Sequence, residues 1–191
     1  DRVIVSTDDA EISEVAKSSG AEVPFHRSQE LSDDYAGIMP VIKHAIEWFD
    51  NHEQSPTEVC CIFATAPFVQ VDAIRNAYAQ MRHENADYCF SLTRFASPIQ
   101  RAINLTPEKR INMFYPDYFE KRSQDLVEAY HDAGQFYWGK AEAFRLQLPL
   151  FSSAASPYIL PRHLVQDMDS KEDWKHAELM FQVLKHSGEF V

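Results

Sequence analysis

The sequence lacks three features that would each point to a class of function. It has only three cysteines and no Cys-x-x-Cys pair, so neither a metal site built from cysteines nor a nucleophilic thiol is indicated. It lacks an excess of positive charge. The formal net charge is −11, which disfavours general nucleic-acid binding, because the polyphosphate backbone is repelled. It has no apolar run long enough to span a membrane and no recognisable signal peptide. We therefore predict a cytoplasmic protein with no membrane or nucleic-acid partner.

The composition is that of a globular protein with one well-buried core. The chain has 191 residues, 45% of them hydrophobic and 25% charged. Cys60 and Cys61 lie in an apolar run, where unpaired cysteines usually pack as small core residues and fit a reducing compartment. A small anionic substrate remains compatible with the acidic balance, because a basic pocket or a divalent cation can reverse the field at one site.

Strands and helices alternate along the first half of the chain. Hydrophobic periodicity and capping signals predict strands at 3–5, 21–25, 58–63 and 87–92, and helices at 11–18, 34–51 and 71–83. This rhythm predicts an α/β fold with a doubly wound, mostly parallel sheet and right-handed crossovers. Ligands bind such sheets beyond the carboxyl ends of the strands. We therefore expect the loops that follow the strands to share one rim.

The alternation breaks down between residues 94 and 147. Prolines and many aromatic residues interrupt it, which predicts an inserted segment with a hairpin or loop that reaches over the site or into a partner subunit. A short strand at 158–160 and a final helix at 171–186 follow. Ser170 and Asp173 are placed to cap that helix.

The loop before the final helix holds the first candidate for chemistry. Asp167 and Asp169 form an Asp-x-Asp pair, and two such carboxylates can bind one Mg²⁺ or Mn²⁺. The alternative is that these acids only cap the helix in a solvated loop, because acids favour helix N-termini anyway. The spacing by itself favours this alternative.

Three other polar segments are candidates for ligand binding. Thr65, in the turn at 64–67, has a hydroxyl that suits a base or a phosphate, although the turn is also an ordinary strand-to-helix connection. Arg27 can bind a phosphate or carboxylate through two N–H groups, or lie in a solvated connection. In the segment 130–138, Gly134 indicates close backbone approach or a bulge. The aromatic residues around it are equally typical of a core or an interface.

Together these segments resemble the CMP-sialic acid synthetases and related cytidylyltransferases. Residues 3–9 resemble the family's V-S-T-D-D strand end, and residues 27–31 its R-x-x-E-L loop. Residues 64–67 resemble its P-T-S-P turn, and residues 167–178 its D-I-D…D-W…A-E ending. Residues 114–139 look most like the pseudaminic acid branch. The resemblance spans essentially the whole chain.

The resemblance implies the Rossmann-like fold of the nucleotide-diphospho-sugar transferases. Residues 1–191 would form a single domain, and residues 94–147 its inserted sugar-binding and dimerisation segment, because family members are typically homodimers. The implied reaction is attack by the anomeric hydroxyl of a nonulosonic acid, a nine-carbon sugar acid, on the α-phosphate of CTP, with release of pyrophosphate.

The resemblance also implies roles for individual residues. Asp167 and Asp169 would be catalytic and would bind Mg²⁺ or Mn²⁺. The residues implied to contact the nucleotide are Asp8, Arg27, Asp34 and Thr65. The residues implied to contact the sugar are Gln100, Arg101, Arg122, Gln135 and Tyr137.

The sequence departs from the family pattern in two places. The family's glycine- and lysine-containing loop, A-R-x-G-S-K-x-x-x-x-K-N, cradles the triphosphate and has no counterpart here; Asp1 stands where the second family strand begins. We therefore expect the chain to keep its metal and sugar ligands and to lose much of its binding of CTP. Phe63 replaces a glutamine found in many relatives, which favours a nine-carbon sugar other than sialic acid.

Two alternative functions remain open from the sequence. A GT-A-type glycosyltransferase also uses an Asp-x-Asp metal site, but its pair usually ends a strand in mid-domain, whereas Asp167 precedes the final helix. A catalytically incomplete module that only binds a sugar nucleotide is the second alternative.

Overall fold

The structure is a computed structural model that describes residues 2–33 and 35–189. The chain divides into two compact units. Unit 1 consists of Asp1–Val59 and Gly139–Ser152, and unit 2 of Cys60–Trp138 and Ser153–Val191. No helix in the described part of the chain is both long and apolar enough to cross a membrane.

The regular elements follow one another in the order expected of a mixed α/β protein. The helices are α1 (Ala10–Ser18), α2 (Ile38–His52), α3 (Val71–Glu84), α4 (Ala141–Arg145) and α5 (Lys171–Ser187). The strands are β1 (Glu58–Ile62), β2 (Tyr88–Arg94), β3 (Ile103–Leu105), β4 (Ile111–Met113), β5 (Tyr130–Lys140) and β6 (Ala155–Leu160).

In unit 1, local capping and one buried helix face organise the chain. Asp9 caps α1, because its carboxylate accepts hydrogen bonds from the backbone N–H groups of Glu11 at 2.8 Å and Ile12 at 2.9 Å. Helix α2 buries Ile42 and Ile46, two residues of the predicted apolar face. Its first turn begins four residues later than predicted, at Ile38.

The two predicted strands near the start of the chain are reduced to one bridge. Ile4 pairs with Glu22 in parallel, and the backbone bonds Val5 N to Glu22 O and Glu22 N to Val3 O measure 2.8 and 2.9 Å. The two predicted segments pair with each other, but the ladder is shorter than the apolar pattern indicates.

Unit 2 contains most of a four-stranded sheet with the order β1-β5-β2-β6. Strands β2 and β6 are parallel, with paired residues running from Tyr88 and Ala155 to Thr93 and Leu160. On one face, α3 packs through Ala77 and Met81 against a core that contains Phe136. This mixed α/β architecture with a mostly parallel central sheet is the predicted fold class.

Strand β5 is the main element that the periodicity did not predict. It lies between β1 and β2, although the sequence placed residues 130–140 in the inserted segment. Three consecutive residues, Gln135, Phe136 and Tyr137, are buried, so both faces of the strand are covered. A strand buried on both faces loses the alternation of polar and apolar residues by which strands are recognised.

The hairpin expected within residues 94–147 is present in unit 2. Strands β3 and β4 pair antiparallel, from Ile103 and Met113 to Leu105 and Ile111. Three of these apolar side chains are exposed to solvent: Ile103 by 52%, Leu105 by 67% and Ile111 by 71%.

Cys60 and Cys61, which were predicted to be core residues, are only partly buried, and Cys60 packs against the core. Cys89 is fully buried, and all three thiols are free. Burial raises the pKa of Cys60 to about 12 and that of Cys61 to about 11. Both thiols therefore stay protonated at neutral pH, which makes them poor nucleophiles.

Candidate active site

Two of the predicted nucleotide-binding residues meet in unit 1. The Arg27 guanidinium donates to Asp8 Oδ1 at 3.3 Å through Nη2 and to Ser32 Oγ at 2.9 Å through Nε. The backbone N–H of Arg27 donates to Thr7 O at 2.9 Å. The Arg27 side chain is only 24% exposed, against 46% for Asp8. The guanidinium is thus fixed in place, and part of it remains open to solvent.

The surrounding loop favours the charged form of Asp8. Thr7 is buried, and its hydroxyl accepts from Asp9 N at 3.1 Å, while Ser32 Oγ donates to Ser28 O at 2.8 Å. A hydrogen bond from the Asp8 backbone N–H, and after it the bond from Arg27, lowers the pKa of the Asp8 carboxyl. Asp34, the third predicted residue of this group, lies outside the described residues.

The fourth predicted nucleotide-binding residue, Thr65, belongs to unit 2. It is exposed in the turn that follows β1, where the backbone N–H of Ala66 donates to Phe63 O at 3.2 Å. The turn is the predicted strand-to-helix connection, and α3 begins a few residues later at Val71.

In the acidic loop before α5, the residues that cap the helix are different from the Asp-x-Asp pair. Ser170 and Asp173 form the predicted capping box: Asp173 N donates to Ser170 Oγ at 3.2 Å, and Ser170 N donates to Asp173 Oδ2 at 2.8 Å. Asp167 and Asp169 are exposed, and within the described residues neither forms an ion pair. Their carboxylates are therefore not needed to cap the helix.

The chemistry of these two carboxylates fits a magnesium ion that is shared with a substrate. Among the described residues, no cluster of three His, Cys, Asp or Glu side chains could enclose a metal. Mg²⁺ is commonly held by one or two carboxylates together with water and substrate phosphates rather than by a complete protein cage. Asp167 and Asp169 supply such a partial ligand set.

Strand β5 lies directly beside the first acid of this pair. Gly134 has a φ of +60°, and a Cβ placed on it would lie 3.6 Å from Asp167 Cγ and 3.6 Å from Asp167 Oδ2. A Cβ at this position would therefore make only ordinary contact with Asp167, so a close approach does not by itself require glycine here. The positive φ, rather than steric overlap, is what favours glycine at this position.

The two predicted sugar-binding residues of β5 are buried in unit 2. Gln135 is 1% exposed; its side-chain amide donates to Leu164 O, and its Oε1 has no hydrogen-bond partner within the described residues. Tyr137 is 6% exposed, and its hydroxyl donates to the Asp132 carboxylate. Burial, followed by the bond to Asp132, raises the pKa of Tyr137, so this phenol is a hydrogen-bond donor and not a base.

Asp132 is a residue of this region that the sequence did not single out. Its other oxygen accepts from the backbone N–H of Gly134 at 2.8 Å. The signal available in the sequence is the Asp-x-Gly spacing, because an aspartate often bonds to the amide two residues further on.

The remaining predicted sugar-binding residues lie in the segment 94–147. The side-chain amide of Gln100 donates to Val127 O at 3.1 Å, and Arg101 donates to the backbone oxygen of Lys121. Arg122 is exposed and forms two hydrogen bonds with Asp125, at 2.8 and 3.1 Å. These contacts group the two arginines in one part of the segment, where each has a partner of its own.

Comparison with known proteins places the whole chain in one group. Residues 1–158 match the sequence profile described as Cytidylyltransferase. The chain is 40% identical over 188 residues, which is 98% of its length and 81% of the relative's, to a pseudaminic acid cytidylyltransferase of Campylobacter jejuni serotype O:2. It is 38% identical over the same shares to the corresponding protein of serotype O:23/36 of that species.

The fold is shared with a solved structure of low sequence identity. A solved CMP:2-keto-3-deoxy-manno-octonic acid synthetase, complexed with CTP, superposes with a TM-score of 0.63 at 11% identity. The match covers 96% of this chain and 82% of that one. On the extent of the profile match and the identity to its relatives, the chain belongs to the cytidylyltransferase family.

Proposed function

We propose that this protein transfers CMP from CTP to the anomeric hydroxyl of a nonulosonic acid, with pseudaminic acid as the preferred substrate. The observation that carries the proposal is the 40% identity to a pseudaminic acid cytidylyltransferase across 98% of this chain. The match includes every segment in which a ligand-binding residue was predicted. Membership of the cytidylyltransferase family also favours this reaction over glycosyl transfer.

The proposed reaction is a single displacement at phosphorus. The anomeric oxygen forms a bond to the α-phosphorus of CTP, and the bond from that phosphorus to the oxygen that bridges the α- and β-phosphates breaks. Pyrophosphate leaves with that oxygen, and the hydroxyl proton passes through water to Asp167 or Asp169. Such transfers depend mainly on positioning and on neutralising charge.

Asp167 and Asp169 would hold the divalent cation, Mg²⁺ or Mn²⁺, in this reaction. When bound, such a cation neutralises charge that develops on the phosphates and orients the triphosphate. The proposal is supported by the exposure of both carboxylates and by the capping box that Ser170 and Asp173 complete without them. The Asp167 carboxylate faces Gly134 of β5, where an added Cβ would lie 3.6 Å from Oδ2.

Arg27 would bind the nucleotide in unit 1. Its guanidinium is oriented by Ser32 and Asp8, and a phosphate would compete with Asp8 for it. Asp8 would then be free to accept from a ribose or base donor. Thr65 in unit 2 would offer its exposed hydroxyl to the nucleotide, and Asp34 keeps the role implied by its position in the sequence.

The sugar acid would be bound by residues of unit 2. Arg101 and Arg122 are the candidates for its carboxylate, because guanidinium groups bind carboxylates in a planar, two-bond geometry. Gln100 and Gln135 each have a side-chain oxygen that is buried without a partner in the described part of the chain. Tyr137 is 6% exposed, so it would support the sugar site by packing beneath it and not through its hydroxyl, which donates to Asp132.

The hairpin of β3 and β4 would form the interface of a homodimer. It presents Ile103, Leu105 and Ile111 to solvent, and exposed apolar groups of this kind are typical of protein interfaces. Light scattering coupled to size exclusion tests this assignment. We expect a dimer for the unmodified chain and a monomer for Leu105→Glu. A dimer that persists in Leu105→Glu and in Ile111→Lys would place the interface elsewhere.

A direct assay tests the proposed reaction. The protein is incubated with CTP, Mg²⁺ and one sugar acid at a time; pyrophosphate is measured by a coupled assay and the CMP-sugar by mass spectrometry. We expect product with pseudaminic acid, formed at least about tenfold faster than with N-acetylneuraminic acid, since one pocket contact of about 1–3 kcal/mol discriminates by such a factor.

Calorimetry of CTP binding distinguishes the proposed enzyme from a module that only binds a sugar nucleotide. CTP that binds with a Mg²⁺-dependent affinity, but yields no pyrophosphate with any nonulosonic acid, would indicate a sugar-nucleotide-binding module. CTP binding that ignores Mg²⁺ and survives Asp167→Ala would contradict the metal assignment.

A further inference from the structure

One carboxylate in unit 2 is bonded to two separate points of the same strand. Asp132 Oδ1 accepts from the backbone N–H of Gly134 at 2.8 Å, and Asp132 Oδ2 accepts from the hydroxyl of Tyr137. The side chain is partly buried, so water competes less for these bonds than it would at the surface. Asp132 therefore ties together the beginning and the middle of β5.

This tie requires β5 to bend. Successive residues of an extended strand rise by about 3.3 Å and point to alternate faces, so residues 132 and 137 would lie about 16 Å apart on opposite faces. A direct hydrogen bond between them is possible only if the strand is locally bulged. Gly134, with its φ of +60°, provides the left-handed backbone that such a bulge uses.

Tyr137 is a fixed point on which the bend depends. Its ring lies edge-on to Phe63, with centroids 5.1 Å apart, and to Phe90, with centroids 5.4 Å apart. Both contacts have the T-shaped geometry that aromatic pairs favour. A ring packed in this way cannot follow a shift of Asp132, so the carboxylate is placed by the tyrosine.

The bend ends against the acidic loop. Gly134 is the residue whose absent Cβ would lie 3.6 Å from the Asp167 carboxylate. Asp132 is thus linked to the first acid of the Asp-x-Asp pair through Gly134, whose N–H donates to Asp132 Oδ1 and whose empty Cβ position faces the Asp167 carboxylate.

We propose that Asp132 is a positioning residue: by bonding to Gly134 and Tyr137 it holds the bend of β5 against Asp167, and so fixes the position from which Asp167 binds a divalent cation. The proposal rests on the proposed function for the role of Asp167. It assigns Asp132 no contact with the substrate. Groups that orient a metal ligand in this way typically change metal affinity about 10- to 100-fold when they are lost.

Three variants and a control test this role. Asp132→Ala removes both bonds. Asp132→Asn keeps an oxygen for the Gly134 amide and lets the tyrosine oxygen accept from the new NH₂ group, so it should restore the bend. Tyr137→Phe removes one bond and keeps the ring. Asp72→Asn, on the exposed first turn of α3, removes the same charge far along the sequence from the bend.

The readout is Mn²⁺ binding in the presence of CTP, measured by water-proton relaxation, together with the Mg²⁺ concentration for half-maximal pyrophosphate release and the Tm without metal. We expect Asp132→Ala to weaken Mn²⁺ binding at least about tenfold. Tyr137→Phe should weaken it several-fold, and Asp132→Asn and Asp72→Asn should remain close to the unmodified protein.

Each outcome decides the proposal. Unchanged Mn²⁺ affinity in Asp132→Ala, with only a lower Tm, would reduce Asp132 to a stabilising residue and overturn the proposal. Failure of Asp132→Asn to restore binding would also overturn it, because charge rather than geometry would then be responsible. If Mn²⁺ binding follows the expected order but no pyrophosphate is released, the positioning role stands and the proposed reaction fails. Absence of Mn²⁺ binding in the unmodified protein overturns both.

Discussion

Arg27 in unit 1 and the Asp-x-Asp pair in unit 2 are held in opposite ways. In unit 1, Arg27 already has an anionic neighbour, Asp8, at 3.3 Å, so a phosphate must compete for a cation that is occupied. In unit 2, Asp167 and Asp169 are exposed and, among the described residues, form no ion pair. The Asp167 carboxylate faces Gly134 of strand β5.

This difference indicates where specificity and metal affinity arise. A paired arginine is preorganised and gives up little conformational entropy on binding, but part of its attraction is already used. Unpaired carboxylates repel one another and gain most when a cation arrives. We therefore expect unit 1 to tune the binding of the nucleotide and unit 2 to be indispensable for turnover.

The largest effect is expected from Asp167→Ala. Loss of a metal ligand removes several kcal/mol of charge stabilisation, which corresponds to a fall in kcat of roughly 1000-fold. Pyrophosphate release measures it, circular dichroism checks the fold, and Asp72→Asn is the matched control. A variant that keeps more than about a tenth of the activity would remove the contrast between the units.

Arg27→Ala should have a smaller effect that appears in KM for CTP. A hydrogen bond to a charged group contributes about 1.5–3 kcal/mol, so KM should rise roughly 10- to 100-fold while kcat changes less. Arg27→Lys keeps the charge and loses the two-bond geometry. Its KM for CTP should lie between those of the unmodified protein and Arg27→Ala. If kcat falls and KM stays the same, Arg27 acts in the transition state and not in binding.

A pair of glycine substitutions compares the two units directly. Gly134 and Gly20 both have positive φ, +60° and +89°, but of the two only Gly134 would bring an added methyl group within 4 Å of another residue. Alanine at either site should cost about 1–2 kcal/mol of unfolding free energy, or roughly 2–8 °C in Tm. Only Gly134→Ala should also weaken Mn²⁺ binding, and equal metal affinity in both variants would contradict the role of the bend.

The smallest effect concerns the acid stability of unit 1. The hydrogen bond from Arg145, followed by that from Ser55, lowers the pKa of Asp50 to about 2 from an ordinary value of 3.8. Because the folded-state pKa is depressed, the stabilisation is complete above pH 3.8 and is lost as the pH falls towards 2.

Urea denaturation of Asp50→Asn and of the unmodified protein at several pH values checks this. We expect the difference between them to narrow as the pH falls from about 4 to about 2. A difference that is independent of pH over that range would mean that the ion pair does not contribute through the charge of Asp50.

Local patterns predicted helices α1, α2, α3 and α5, though not α4, and strands β1, β2 and β6, because those signals are contained within short windows. Helix α2 has its apolar face where the periodicity indicates, and the capping box at Ser170 follows from residue spacing alone. Strand β5 was not predicted, because its place between β1 and β2 and the packing that covers its two faces both depend on segments far away in the sequence.

The candidate site was predictable only in part for the same reason. Spacing brought out Asp167 and Asp169 without telling metal binding from capping; the structure shows that Ser170 and Asp173 complete the cap, and metal binding by the other two acids stays a prediction. Asp132 was missed because its proposed role depends on the bond from the Tyr137 hydroxyl and on Asp167, which faces Gly134 but is distant from it in sequence. Patterns in a short window cannot report such a contact.

The central place of β5 in the sheet has a consequence for how the chain reaches its fold. Strands β1 and β2 are synthesised well before β5, yet β5 lies between them, so neither gains this neighbour until residue 140 has been made. Pairings between distant segments form slowly, and strand edges left open in the meantime favour association between chains. We expect a chain that stops before Tyr130 to aggregate, and chaperones to raise the yield of the full-length chain.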